Sequence, residues 1–88
     1  MSKLSTMMNV GRELENKLTT VGIASAEELL AVGAKQAFSG LKERYPQVCL
    51  VHLYALEGAV EHVEFHCLSK DKKRELKAFC DSLKQDLA

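Results

Sequence analysis

Two histidines and a cysteine in the second half of this 88-residue chain are residue types that bind metal ions. His62 and His66 are four positions apart, which places them on one face of a helix, and Cys67 follows directly. Glu61 or Glu64 would add a carboxylate. No second ligand pair occurs elsewhere, and a helix that ends between the histidines would separate their rings. We therefore expect exposed polar residues beside a helix end, with no metal ion and no cofactor.

The cysteines are the residues most suited to nucleophilic catalysis. Their odd number and the apolar surroundings of Cys49, Cys67 and Cys80 argue against a secreted disulfide framework and predict free, mostly buried thiols. A reactive thiol needs a partly exposed setting and a basic partner. His52 lies three residues after Cys49, but the apolar neighbours of this cysteine indicate core. No phosphate-binding loop, dinucleotide fingerprint or serine elbow is present, so we predict no catalytic residue, no enzyme and no small-molecule substrate.

Residues 19–29, TTVGIASAEEL, are typical of a tight corner between two helices. Gly22 would end the first helix in a left-handed conformation, and Ser25 with Glu28 forms a capping box for the second. The first N–H groups of a helix carry partial positive charge, and in helix-hairpin-helix modules they hold a DNA phosphate without reading sequence. We predict that backbone N–H groups of this corner make weak contact with DNA, and that two lysines add positive charge. The predicted contact residues are Lys17, Gly22, Ile23, Ala24, Ser25 and Lys35.

Two features weigh against this DNA contact. Helix-hairpin-helix motifs favour a second glycine two residues after the first, and Ala24 occupies that position. The chain has twelve basic and twelve acidic residues, whereas nucleic-acid modules are usually basic. The alternative is a protein-interaction or dimerisation module that binds no nucleic acid, with a regulatory protein or a second copy of the chain as partner.

The composition predicts a single globular domain over residues 1–88. Apolar residues make up 47% of the chain and charged residues 27%, which is typical of a folded protein. No signal peptide and no stretch near the roughly 20 apolar residues that span a bilayer is present. We expect a cytoplasmic protein that does not contact membranes.

Apolar residues recur every three or four positions in the first half of the chain and predict three helices. Asn9 is the expected N-cap of the first helix, which the glycine corner ends. The second runs over residues 25–32, and Gly33 separates it from a third that Pro46 stops. Gly40 costs about 1 kcal/mol relative to alanine inside that helix, so we interpret it as a close contact between helices. The apolar positions are Met7, Val10, Leu14, Leu18 and Val21 in the first helix, and Ala34, Ala37, Phe38, Leu41 and Tyr45 in the third.

Residues 48–67 fit either a helix or a β-hairpin. In a hairpin, the turn is Glu57-Gly58, and Val63, Phe65 and Cys67 alternate with polar residues. If the segment is a helix, its apolar residues form so broad a face that the helix must be central and mostly buried. Periodicity alone leaves both structures open. The apolar positions of the helix would be Val48, Val51, Ala55, Leu56, Ala59, Val60 and Val63.

The last segment is a clear amphipathic helix. Ser69 is its expected N-cap. The run KDKKRELK, residues 70–77, has enough acidic residues to predict a solvated face with internal ion pairs. The apolar positions are Leu76, Phe79, Cys80, Leu83 and Leu87.

Several motifs resemble the C-terminal domain of the TfoX/Sxy competence regulators, small bacterial proteins linked to DNA uptake. The resemblance covers most of the chain and weakens after Val60. The matching stretches are Asn9-Val10-Gly11, Val21-Gly22-Ile23 with Ser25, Glu28 and Leu29, Val32-Gly33-Ala34 with Ala37, and LYALEGA at residues 53–59.

The resemblance implies an all-α fold, a compact bundle of about five short helices of helix-hairpin-helix or SAM-like character. It favours the helix over the hairpin for residues 48–60. It also implies a non-enzymatic role in regulating genetic competence or transcription, with no catalytic residues to assign. Longer relatives carry a separate N-terminal domain, and here we expect the C-terminal module alone.

Overall fold

A computed structural model describes residues 3–87, without the side chains of Ser5 and residues 84–87. Within that range the chain forms α-helices joined by short connections, with no β-strand. Two 3-10 turns are also present, at Leu4–Thr6 and Phe65–Cys67. No described helix is long and apolar enough to cross a bilayer. The helices are α1 (Arg12–Thr20), α2 (Ala26–Val32), α3 (Ala34–Arg44), α4 (Leu50–Glu61) and α5 (Lys70–Leu87).

The all-α bundle is confirmed, and so is the helix in place of the hairpin. The radius of gyration is 12.0 Å. A compact chain of this length is expected to have about 12 Å, so the chain is as compact as a folded domain of its size. The finer assignment to a helix-hairpin-helix or SAM-like fold stays a prediction.

Helix α4 is the centre of the bundle because its sequence is apolar nearly all round. It packs against α3, α5 and the second 3-10 turn, while α1 and α2 pack on α3. The predicted apolar face of α3 is buried, apart from a half-buried Tyr45. On α5, the predicted positions from Leu76 to Leu83 face the core, and the Leu87 side chain lies outside the described residues. The largest fully buried side chains are Phe38, Leu4, Leu18, Leu29, Leu41, Leu53, Leu56 and Leu76.

The start of α1 differs from the sequence prediction. Gly11, not Asn9, is the N-cap, and Asn9 lies in the left-handed region with φ of 72°. Its side chain donates from Nδ2 to the Val63 carbonyl oxygen at 2.8 Å and accepts at Oδ1 from the Phe65 N–H at 3.2 Å. Asparagine tolerates this conformation better than most residues because its short polar side chain forms local or nearby hydrogen bonds. Asn9 therefore ties the N-terminal segment to the loop after α4.

The glycine at a close approach is Gly58, and the prediction for Gly40 is wrong. A Cβ atom added at Gly40 would have no neighbour within 4 Å, because this side of α3 is open. A Cβ added at Gly58 would lie 2.6 Å from the Val63 carbonyl oxygen and also overlap the Asn9 amide. The chain folds back over Gly58 because His62 ends α4 in the left-handed conformation, with φ of 61°.

Candidate functional site

The glycine corner after α1 is a Schellman motif, the usual C-terminal cap of a helix. Gly22 has φ of 92°, as predicted. Its N–H donates to the Thr19 carbonyl oxygen at 3.1 Å, and the Ile23 N–H donates to the Leu18 carbonyl oxygen at 2.9 Å. Leu18 and Ile23 are both buried. Two of the N–H groups at the predicted phosphate contact are therefore engaged in ending the helix.

Ser25 is the N-cap of α2 as the sequence predicts, but the Glu28 carboxylate accepts from the Ser25 hydroxyl and not from its backbone N–H, as a capping box would require. Its Oγ accepts from the Glu28 N–H at 3.2 Å and donates to the Glu28 carboxylate at 3.3 Å. Ser25 is buried, whereas Ala24 is exposed. Glu27 and Glu28 place two carboxylates in the first turn of α2, where their charge opposes the approach of a phosphate.

The two predicted lysines both pair with carboxylates. Lys17 on α1 lies 3.4 Å from the Glu13 carboxylate, and its Nζ is 5.5 Å from the centre of the Tyr45 ring. Lys35 lies 2.7 Å from the Glu75 carboxylate, which ties α3 to α5 rather than to the corner. The structure thus keeps Gly22 to Ser25 together in one turn, with Gly22 and Ala24 exposed and Ile23 and Ser25 buried, and directs the lysines into ion pairs.

An apolar cleft of about 250 Å³ lies between α1 and α4. Its walls include Leu14, Ala55 and Val51, and Val51 is 54% exposed although the sequence predicts it on the buried face of α4. The prediction for Val51 is wrong, because it lies on the side of α4 that faces this cleft, whereas Leu53 and Leu56 are fully buried. The remaining lining residues are Asn9, Gly11, Glu13, Lys17 and His52.

Cys49 is exposed and caps α4, so the prediction that it is core is wrong. Its Sγ accepts from the His52 N–H, and the His52 Nδ1 accepts from the Cys49 N–H at 3.1 Å. The pair therefore forms a capping box in which sulfur and imidazole replace the usual hydroxyl and carboxylate. Cys49 and His52 are three positions apart, as are Ser25 and Glu28. This spacing is the sequence signal that could have predicted the helix cap at Cys49. Cys67 is exposed as well, in a 3-10 turn, and only Cys80 is buried as predicted.

Ser69 is the N-cap of α5, as predicted, and its Oγ accepts from the Lys72 N–H at 3.1 Å. Its charged face forms the predicted internal ion pairs, including Lys72 with Glu75 at 3.3 Å and Lys77 with Asp81 at 3.3 Å. Lys72 and Glu75 also line an open cleft of about 380 Å³ beside the start of α3, together with Glu57.

Glu57 is the described residue with the largest change in acidity. Burial raises its pKa from the usual 4.5 to about 7, with help from a hydrogen bond to the Glu61 carboxyl group and against the attraction of Lys72. The pKa of Glu75 is lowered, because Lys35 and Lys72 both donate hydrogen bonds to its carboxylate. The pKa values of the two carboxyl groups are therefore shifted in opposite directions.

The chain matches the model of a known protein family over most of its length. The model of the TfoX C-terminal domain matches residues 1–80 of the chain. The chain belongs to the TfoX C-terminal domain family. The resemblance seen in the sequence motifs is thereby confirmed.

Solved structures share the fold of this TfoX C-terminal domain over nearly its whole length. A crystal structure of an uncharacterized protein from Listeria monocytogenes, in a triclinic form, has a TM-score of 0.92 and 44% sequence identity, covering 94% of each chain. A tetragonal form of a Listeria monocytogenes protein of unknown function has a TM-score of 0.89 and 46% identity, covering 91% of this chain and 99% of the other. No curated protein matches the sequence significantly.

The stability of this TfoX C-terminal domain is expected to fall between about pH 4.5 and pH 7 through Glu57. The folded protein keeps a proton that the unfolded chain releases, so rising pH favours unfolding across this window. Glu57→Gln should remove this slope and stabilise the protein at pH 8 by roughly 1–2 kcal/mol, after allowance for solvent screening. Urea unfolding at pH 5 and pH 8 measures the change.

The matched variant Glu75→Gln should have the opposite sign. Its carboxylate is held ionised by Lys35 and Lys72, and the variant removes the negative charge and leaves a single acceptor oxygen for the two lysines. It should therefore destabilise the protein at pH 8. Equal urea midpoints for wild type and Glu57→Gln at pH 8 would contradict the role of Glu57.

Proposed function

We propose that this TfoX C-terminal domain is a non-enzymatic binding module in the regulation of genetic competence, and that it acts by contacting another protein through the cleft between α1 and α4. Membership of the family supports the link to competence. The single observation that carries the protein contact is Val51, which is 54% exposed on the wall of an apolar cleft.

The size of the cleft supports a protein contact over a substrate site. Pockets for small molecules usually enclose about 300–1,000 Å³, and this cleft has about 250 Å³. A space of that size suits one large apolar side chain of a partner, which would pack against Val51 and Ala55 on the wall of the cleft. Protein interfaces are often built around such an anchor, with a polar rim that excludes water. Here Lys17, Glu13 and His52 supply the rim.

The pairing of charges also supports a protein over DNA as the partner. Lys17 and Lys35 each contact a carboxylate, and the first turn of α2 is acidic. Affinity for DNA rises mainly with the number of cations that neutralise phosphates. The partner that we infer is therefore a protein with an exposed apolar side chain, such as a component of the transcription machinery.

The test compares Val51→Glu with Leu30→Glu. Leu30 is 46% exposed on α2, away from the cleft, so it controls for added charge on an apolar surface. A photo-cross-linking residue at position 51 would identify the partner in cells by mass spectrometry. The purified partner should bind Val51→Glu at least tenfold more weakly than wild type and bind Leu30→Glu normally. Transformation frequency in the native host should fall only with Val51→Glu.

Three outcomes would contradict the proposal. Equal partner binding by Val51→Glu and wild type would exclude the cleft. Concentration-dependent dimerisation in light scattering that Val51→Glu abolishes would identify a second copy of the chain as the occupant. DNA binding that weakens with salt and is lost in Lys17→Glu would favour the contact predicted at the Gly22 corner.

A further inference from the structure

The loop between α4 and α5 brings three different metal-ligand types to one surface. A carboxylate oxygen of Glu64, a ring nitrogen of His66 and the Sγ atom of Cys67 all lie within 4.8 Å of one another. The His66 Nε2 and the Glu64 Oε2 are 2.9 Å apart. His62, which the sequence pairs with His66, is outside this trio because it ends α4. We propose that Glu64, His66 and Cys67 bind a divalent transition-metal ion of the Zn²⁺ class.

The distances fit a tetrahedral site after small side-chain movements. With metal–ligand bonds of about 2.0–2.3 Å, the ligand atoms of a tetrahedral zinc site lie roughly 3.3–3.8 Å apart. No separation in the trio therefore exceeds this range by more than about 1 Å, and the carboxylate and imidazole must open slightly. All three side chains are exposed, so rotation about their own bonds supplies this movement without disturbing the core.

The backbone that carries the three ligands is already fixed. The Asn9 side chain holds both the Val63 carbonyl group and the Phe65 N–H. The Cys67 N–H donates to the Glu64 carbonyl oxygen at 2.8 Å, which closes the 3-10 turn. The Phe65 ring meets the His66 ring edge-on, with centres 5.6 Å apart. Binding therefore orders three side chains and no backbone, which keeps its entropic cost low.

The donor set selects the class of ion. A thiolate with an imidazole favours zinc and cobalt over magnesium or calcium, which prefer oxygen ligands. The carboxylate adds a third ligand, and solvent can complete the tetrahedron. The ion displaces the thiol proton of Cys67, so affinity should rise with pH. Lys73 donates to the His66 carbonyl oxygen at 3.2 Å, and its positive charge should weaken binding.

The experiment titrates the full chain with Co²⁺ and follows the near-ultraviolet absorption of a cobalt–thiolate bond. We expect one equivalent per chain, displaced by Zn²⁺. Cys67→Ser should remove the absorption, and His66→Ala or Glu64→Gln should weaken binding at least tenfold. Lys73→Gln should tighten it severalfold. Circular dichroism of each variant checks that the fold is intact.

Cys49→Ser is the matched control, because Cys49 is also exposed and its Sγ lies 3.5 Å from a histidine nitrogen. His62→Ala controls for the histidine outside the trio. Both variants should bind Co²⁺ as wild type does. No thiolate absorption in the wild type, or its loss in Cys49→Ser with retention in Cys67→Ser, would overturn the proposal. Half an equivalent with a doubled mass would show an ion shared between copies and contradict a site within one chain.

Discussion

Gly58→Ala should destabilise the protein by about 2–4 kcal/mol, because its methyl group has no space. The added Cβ would meet the Val63 carbonyl oxygen at 2.6 Å, and this backbone atom cannot rotate away as the end of a side chain can. A loss of this size corresponds to a fall in Tm of roughly 15 °C in a domain of this length. Thermal unfolding followed by circular dichroism measures it.

Gly40→Ala is the matched control for this substitution. It adds the same methyl group to a helix, but into open space. Alanine is the better helix former, so this variant should gain up to about 1 kcal/mol. Equal Tm values for the two variants would contradict the close approach at Gly58. The double variant of Gly58→Ala with Asn9→Gly should lose less than the sum of the two single losses, because the new methyl group also overlaps the Asn9 amide.

Asn9→Ala should cost about 2–3 kcal/mol, from two separate losses. Alanine is strained at a φ of 72°, and the Val63 carbonyl and Phe65 N–H groups both lose their side-chain partner. Urea unfolding of the variant measures the total. The substitution should also shift the chemical shifts of residues 63–67, since the loop loses its attachment to the N-terminal segment.

Two further variants at the same position separate the contributions. Asn9→Gly accepts the left-handed conformation and loses only the hydrogen bonds, so it should cost less than alanine. Asn9→Asp can still accept from the Phe65 N–H but can no longer donate to Val63. If Asn9→Gly were as stable as wild type, the hydrogen bonds would contribute nothing, and the cost at alanine would come from backbone strain alone.

The sequence predicts the helices well because their signals are local. Gly22, Ser25 and Ser69 mark helix ends through hydrogen bonds within a few residues, and all three are confirmed. The apolar spacing of α3 likewise predicts which of its residues are buried. The choice of a helix for residues 48–60 needed the family resemblance, because a nearly continuous apolar run has no informative period.

Apart from Cys49, whose capping box with His52 is local, the errors concern contacts between distant parts of the chain. The amide of Asn9 bonds residues 54 and 56 positions later, which no local pattern can reveal. Gly58 is covered by that same loop, whereas Gly40 faces open space. Val51 is exposed because it lines the cleft between α1 and α4 and not the core. The cluster of Glu64, His66 and Cys67 depends on where α4 ends, and the left-handed turn at His62 excludes the histidine that spacing alone would choose.

Because Asn9 contacts the loop after α4, the N-terminal segment can complete its native contacts only late in synthesis. The ribosome makes Asn9 among the first residues, yet both of its hydrogen-bond partners belong to residues 63 and 65. The corner between α1 and α2 and the packing of α2 on α3 involve neighbouring segments and can form during synthesis. The segment before α1 can form its native side-chain hydrogen bonds only after nearly three quarters of the chain has left the ribosome. Until then, Asn9 lacks both of its hydrogen-bond partners.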